Sequence, residues 1–73
     1  MATDIAIQLG RKIRELRRQR GWRQIDFAAH AELSKTHISE LESGKREVGI
    51  FVLERLAEAL GVKISDLMKA IQR

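Results

Sequence analysis

Three polar side chains on one short segment, Lys35, Thr36 and Glu40, could read the edges of nucleic-acid bases. A lysine ammonium can donate to guanine O6 and N7, and a carboxylate can accept from cytosine N4. Thr36 adds a hydroxyl group and a methyl group that can pack on thymine. Taken singly, each of these side chains is more typical of an ordinary exposed helix surface. Their interpretation therefore depends on the elements that carry them.

Glu40 is informative because of its charge. A carboxylate that faces DNA phosphates weakens non-specific binding, so its presence favours selection of particular sequences over indiscriminate coating. The alternative is that Glu40 is an intrahelical partner for Lys35 or Thr36. Both interpretations require the segment to be a helix.

The segment from Gln24 to Gly44 has the pattern of two short helices joined by a tight turn. Its apolar residues recur at spacings of three and four, which places them on one face of each helix. Ser34 is a natural N-cap for the second of these helices. Small residues at these offsets allow the steep crossing of a helix-turn-helix. The apolar set is Phe27, Ala28, Ala31, Leu33, Ile38 and Leu41.

The flanking sequence predicts three further helices, which makes the chain all-α with five helices. The first spans about Asp4 to Arg20 and ends at Gly21, and Gly10 within it indicates close approach of another helix. The fourth ends at Gly61, and Ser65 is predicted to cap the fifth. Trp22 is expected to cover the core. The apolar stripes are Ile5, Leu9, Ile13 and Leu16 in the first helix, Ile50, Leu53, Leu56, Ala57 and Leu60 in the fourth, and Leu67, Met68 and Ile71 in the fifth.

Composition excludes several classes of function. The 73 residues contain no cysteine, so neither a disulfide nor a thiolate metal site is expected, and the two histidines do not suggest zinc. Neither a nucleophile with a suitable base nor a glycine-rich phosphate loop is present, so enzyme activity, a cofactor and a small-molecule ligand are not predicted. Without a membrane span or a leader, we expect a soluble cytoplasmic protein whose N-terminus belongs to the fold.

Positive charge is concentrated in one part of the chain. The net charge is +4, and between Arg11 and Arg23 seven basic residues stand against a single acid, Glu15. Such a cluster beside a helix-turn-helix is the electrostatic pattern of a nucleic-acid binder. The alternative is a solvated helix face without a partner.

Three stretches from Leu9 to Met68 match a known family in order and spacing: LGRKIRELR, GWRQIDFAAHAELSKTHISELESGK and VLERLAEALGVKISDLM. The chain resembles the Cro-repressor, or XRE-type, helix-turn-helix regulators of bacteria and phages. Its length, the GKREVGI loop and the short tail most resemble the controller proteins of restriction–modification systems. The resemblance implies one lambda-repressor-like DNA-binding domain over residues 1–73, with the helix-turn-helix at about 24–44.

The resemblance also implies roles for individual positions. Base-reading positions are matched by Ser34, Lys35, Thr36 and Glu40. Positions near the DNA backbone are matched by Gln24, His37, Ser39, Lys45 and Arg46. Arg17 and Glu42 match a pair that forms a salt bridge between the first and third helices.

The sequence departs from the family pattern at several positions. Arg23 replaces the usual hydroxyl N-cap and could instead reach a phosphate, and Glu32 occupies a turn position that often holds glycine. Val48 and Gly49 replace a common proline and serine before the fourth helix. Ile25, Phe51 and Val52 are apolar where the family is usually polar.

A symmetric dimer is expected, because one recognition helix buries too little surface to be selective alone. Two such helices in successive major grooves need a separation of about 34 Å. The candidate dimer contact lies in helices at about 50–71, and its residues are Phe51, Val52, Ile64, Met68 and Ile71. The alternative is that some of them complete a monomeric core. Phe51 favours the dimer, since Ile50 and Leu53 are predicted to define the inward face.

The sequence thus predicts a sequence-specific regulator of transcription that binds double-stranded DNA as a homodimer on a palindromic operator. It would be a restriction–modification controller or a phage-type repressor. The main alternative is an antitoxin-type module, in which the same bundle binds another protein.

Overall fold

The predicted five-helix architecture is confirmed by a computed structural model, which describes residues 4–71 and contains no strand within them. No helix in this range combines the length and apolar character needed to cross a bilayer. The elements are α1 Asp4–Gln19, α2 Gln24–Ala31, α3 Lys35–Ser43, α4 Ile50–Leu60 and α5 Ile64–Met68.

One apolar core joins the five helices, because each helix turns its periodic apolar face inward. Ile13 of α1, Phe27 of α2, Ile38 of α3, Leu56 of α4 and Leu67 of α5 are all completely buried. Trp22 packs against this core as predicted, and its ring stacks on those of Phe27 and His30 at centroid distances of 5.9 and 4.3 Å.

Gly10 lies where α1 crosses α3. A Cβ atom at this position would overlap the carbonyl oxygen of Leu41 and lie 2.7 Å from that of Glu42. The close helix approach predicted from this glycine is therefore present, and it is a contact of backbone with backbone.

The ends of α3 follow the predicted capping chemistry. The Ser34 hydroxyl accepts a hydrogen bond from the backbone N–H of His37 at 3.0 Å. Gly44 ends the helix with a φ of 77°, where a side chain would be strained and a Cβ atom would clash with Ile7.

Before α3, Glu32 occupies the left-handed position of the turn with a φ of 56°. The turn is thus formed without the glycine that is usual there.

Two predictions at helix ends are wrong. Ser65 does not cap α5 but lies inside it, because the Asp66 carboxylate accepts the backbone N–H of Lys63 at 3.0 Å and starts the helix earlier. The helix also ends at Met68, so Ile71 lies beyond it. A carboxylate three residues after the N-cap competes effectively for the free N–H groups at the helix start.

Ile50 does not face inward, contrary to the prediction from its spacing. It begins α4 and is 73% exposed, while Val52 and Leu53 pack against the core. Ile5, near the start of α1, is likewise 37% exposed. Periodicity assigns a residue to a helix face, but burial also requires a neighbouring element at the same height along the axis.

Candidate nucleic-acid interface

The outer face of α3 gathers the side chains that the sequence assigned to base reading. Lys35 and Thr36 are exposed on the first turn, and Glu40 lies one turn further along the helix. Together with Gln24 and Ser39 they line a shallow groove of about 200 Å³. Ser34 stands at the head of this face, where its hydroxyl is engaged in capping. The face offers both hydrogen-bond donors and hydrogen-bond acceptors, which can pair with the acceptors and donors on base edges.

Glu40 has a partner that the sequence interpretation did not propose. Its Oε2 lies 2.8 Å from Nε of Arg46, a residue in the loop after α3. The intrahelical alternative, with Lys35 or Thr36 as the partner, is wrong in this structure. The reason is the cap at Gly44, which turns the chain back so that the N–H of Lys45 donates to the Glu40 carbonyl at 3.0 Å.

The residues at the start of α2 are held by partners within the fold. Gln24 donates through Nε2 to Glu42 Oε1 at 3.2 Å, so it links the start of α2 to α3. Arg23, which lacks a capping hydroxyl, contacts Asp26 through Nε at 3.0 Å. The hydrogen bond from the Arg23 guanidinium holds the pKa of Asp26 below its usual range. Arg23 remains exposed, so a phosphate could compete for its guanidinium.

The other residues assigned to the DNA backbone surround the same face. Ser39 lies in the groove, His37 is half-buried on the first turn of α3, and Lys45 is exposed just after the cap. Of these three residues, Ser39 alone lines the groove.

A buried salt bridge fixes the orientation of α3. Arg17 Nε lies 2.7 Å from Glu42 Oε2, and Nη2 lies 3.0 Å from Oε1. The third nitrogen of the guanidinium donates to the Trp22 carbonyl at 2.7 Å. The two side chains are 9% and 3% exposed. Gln24 of α2 donates to the same carboxylate. This bidentate salt bridge therefore connects α1, α2 and α3 into one unit.

The basic cluster is smaller at the surface than the sequence suggests. Arg17 is buried, Arg23 binds Asp26, and Lys12 lies 3.9 Å from Glu15. Arg20 donates to the carbonyl oxygens of Leu16 and Leu60. Arg11, Arg14 and Arg18 are exposed along one face of α1, and Arg23 is exposed as well despite its partner. Counting charges along the sequence therefore overstates the charge that a partner would meet.

No cluster of three or more potential metal-ligating His, Cys, Asp or Glu side chains occurs between residues 4 and 71. The polar side chains that line the α3 groove offer hydrogen bonding and charge pairing.

This geometry defines a helix-turn-helix domain, and residues 13–67 match the helix-turn-helix family. The chain belongs to this XRE-type family of DNA-binding transcriptional regulators. It is 37% identical over 71 residues to the control protein C.MunI of Mycoplasma sp., covering 96% of each chain. It is 33% identical over 69 residues to the control protein C.BamHI of Bacillus amyloliquefaciens, covering 93% of this chain and 85% of that protein.

Solved structures give the same assignment. The restriction–modification controller protein C.AhdI from Aeromonas hydrophila superposes with a TM-score of 0.83 at 29% identity. The match covers 85% of this chain and 94% of that chain. The family and fold predicted from the sequence are therefore confirmed.

Proposed function

We propose that this chain is a restriction–modification controller that binds a palindromic operator as a homodimer and reads it with the outer face of α3. The single observation that carries the proposal is the polar α3 face held on a rigid base by the Arg17–Glu42 pair. Similarity over almost the full length of C.MunI supports a controller rather than a phage repressor.

In this proposal Lys35 and Thr36 contact base edges and Glu40 accepts from a base amino group. Ser34, the exposed N-cap of α3, would contact a base through its hydroxyl group. The backbone contacts come from Arg23, Gln24, His37, Ser39, Lys45 and Arg46. These assignments carry over the positions implied by the family resemblance, and Lys35, Thr36, Ser39 and Glu40 among them line the groove together with Gln24.

The dimer would form through apolar residues that the monomer leaves uncovered. Phe51 is 79% exposed on α4, and Met68 and Ile64 of α5 are also exposed. Ile71, beyond α5, lines an apolar groove that includes Met68. Val52 packs on the chain's own core, so we assign it to the core and base the interface on the other four residues.

We expect Lys35→Ala and Thr36→Ala to change which duplexes are retained from a random DNA pool. Each lost base contact should reduce discrimination at one base pair by about 1–3 kcal/mol. Lys69→Ala, which removes a charge outside the helix-turn-helix, is the matched control and should keep the wild-type preference.

The same selection distinguishes the alternative function. A DNA reader should lose affinity with salt by about one logarithmic unit of slope per phosphate contact. An antitoxin-type module that binds only another protein should retain no duplex at any salt concentration, and that result would refute the proposal.

Phe51→Glu should leave a folded monomer with at least about tenfold weaker operator affinity, since a buried carboxylate without a partner opposes association. Sedimentation equilibrium gives the mass, and circular dichroism checks the fold. Ile25→Glu, an exposed apolar residue on α2, is the control for mass and should remain dimeric. An unchanged mass for Phe51→Glu would reject this interface.

A further inference from the structure

We infer that Arg46 is a specificity-determining residue that acts by positioning Glu40, and is more than a contact to the DNA backbone. The inference rests on the proposed function and concerns the same α3 face. It predicts that Arg46 controls the preference at the one base pair that Glu40 reads.

The geometry of the pair supports this role. Arg46 Nε holds Glu40 Oε2 at 2.8 Å, and the side chains are 47% and 34% exposed. Within residues 4–71 no hydrogen-bond donor engages Glu40 Oε1, and neither Nη atom of Arg46 donates. One carboxylate oxygen is therefore fixed by the arginine, and the other can accept a hydrogen bond from an amino group in the groove.

The backbone keeps Arg46 in place. Gly44 is buried with a positive φ, and it lies against Ile7 so tightly that even a Cβ atom would come within 2.8 Å of Ile7 Cγ1. The bond from the Lys45 N–H to the Glu40 carbonyl closes the turn. The loop therefore returns to the end of α3 with Arg46 opposite Glu40, as a consequence of the cap.

Electrostatics explain why Glu40 needs this partner. A lone carboxylate in a major groove is repelled by the phosphates on both sides, which opposes its use as a reader. Pairing with Arg46 cancels the charge and fixes the rotamer before DNA arrives. A pre-oriented Oε1 is suited to accept the N4 amino group of cytosine, which is a donor in the major groove.

The test compares sequence preferences of the full-length wild type, Glu40→Gln, Arg46→Ala and the double variant, each selected from the same random duplex pool. In the wild type we expect cytosine at one position of each half-site. Arg46→Ala should reduce that preference by about fivefold or more while the other positions keep theirs. Glu40→Gln should replace cytosine by adenine at the same position, because glutamine pairs with adenine N6 and N7.

Three controls separate positioning from simple charge loss. Lys45→Ala removes a neighbouring cation and should weaken all duplexes alike, with a salt slope smaller by about one unit. In the Glu40→Gln background, Arg46→Ala should likewise act uniformly, because there is no carboxylate left to position. Arg46→Lys should restore part of the cytosine preference.

The inference is overturned if Arg46→Ala weakens every duplex equally in the wild-type background, as Lys45→Ala does, while the wild type still selects a motif. In that case the proposed function survives and Arg46 is a backbone contact only. If the wild type itself selects no motif, both the function and the inference fail.

Discussion

Glu42→Ala is expected to lower the free energy of unfolding by about 3–5 kcal/mol, because it leaves the buried Arg17 guanidinium without its counter-charge. Glu42 accepts two hydrogen bonds from Arg17 and one from Gln24, and all of them would be lost together. For a domain of this size the melting temperature should fall by more than about 12 °C. Thermal unfolding followed by circular dichroism measures the change.

Glu15→Ala is the matched control for this loss. Glu15 is an exposed partner of Lys12 at 3.9 Å, and such surface pairs contribute less than about 1 kcal/mol. The fraction of Glu42→Ala that remains folded should keep the wild-type base preference, because Glu42 lies beneath the α3 face rather than on it. A melting curve that matches the wild type would show that the pair is not buried in solution.

Gly10→Ala is expected to destabilise the fold by about 3 kcal/mol or more, although it adds only one methyl group. The new carbon would meet the carbonyl oxygens of Leu41 and Glu42, which are backbone atoms and cannot move aside by changing rotamer. Separation of α1 from α3 would also strain the Arg17–Glu42 pair. We therefore expect a lower midpoint in urea and weaker binding to any operator duplex.

Gly49→Ala provides the comparison for the same chemical change. No atom lies within 4 Å of a Cβ built at Gly49, and its φ of −69° is accessible to alanine. Its effect should stay below about 1 kcal/mol, from a poorer helix N-cap. Equal midpoints for Gly10→Ala and Gly49→Ala would contradict the close packing of α1 on α3.

Prediction from the sequence was accurate at both ends of α3, where a local rule decides. Ser34 and Gly44 bound α3 as expected, since capping depends on residues within one turn of the helix end. Phe51 faces outward as predicted, because it lies on the opposite side of α4 from Leu56 and Leu60. Ser65 failed as a cap because a nearby acid, Asp66, was a competing local signal that the interpretation overlooked.

The Glu40–Arg46 pair could not be found by helical spacing. The two residues are six apart and belong to different elements, so no i, i+4 rule brings them together. Their contact follows from the left-handed turn at Gly44. The sequence did contain one relevant signal, Gly44, because a glycine at the end of a helix predicts that the chain changes direction there.

The sequence by itself determined the family, the five helices and their order, and the set of polar residues on the recognition helix, because these depend on periodicity and short motifs. The tertiary structure alone decided how far the basic residues reach the solvent: Arg17 is buried, whereas the Arg23 side chain is 79% exposed although it pairs with Asp26. Of the seven basic residues between Arg11 and Arg23, Arg17 and Arg20 have partners on distant elements, while Lys12 and Arg23 pair with acids three residues further along the chain. It also decided that Ile50 is exposed. Both outcomes depend on what lies beside a residue in space, and a one-dimensional pattern does not contain that information.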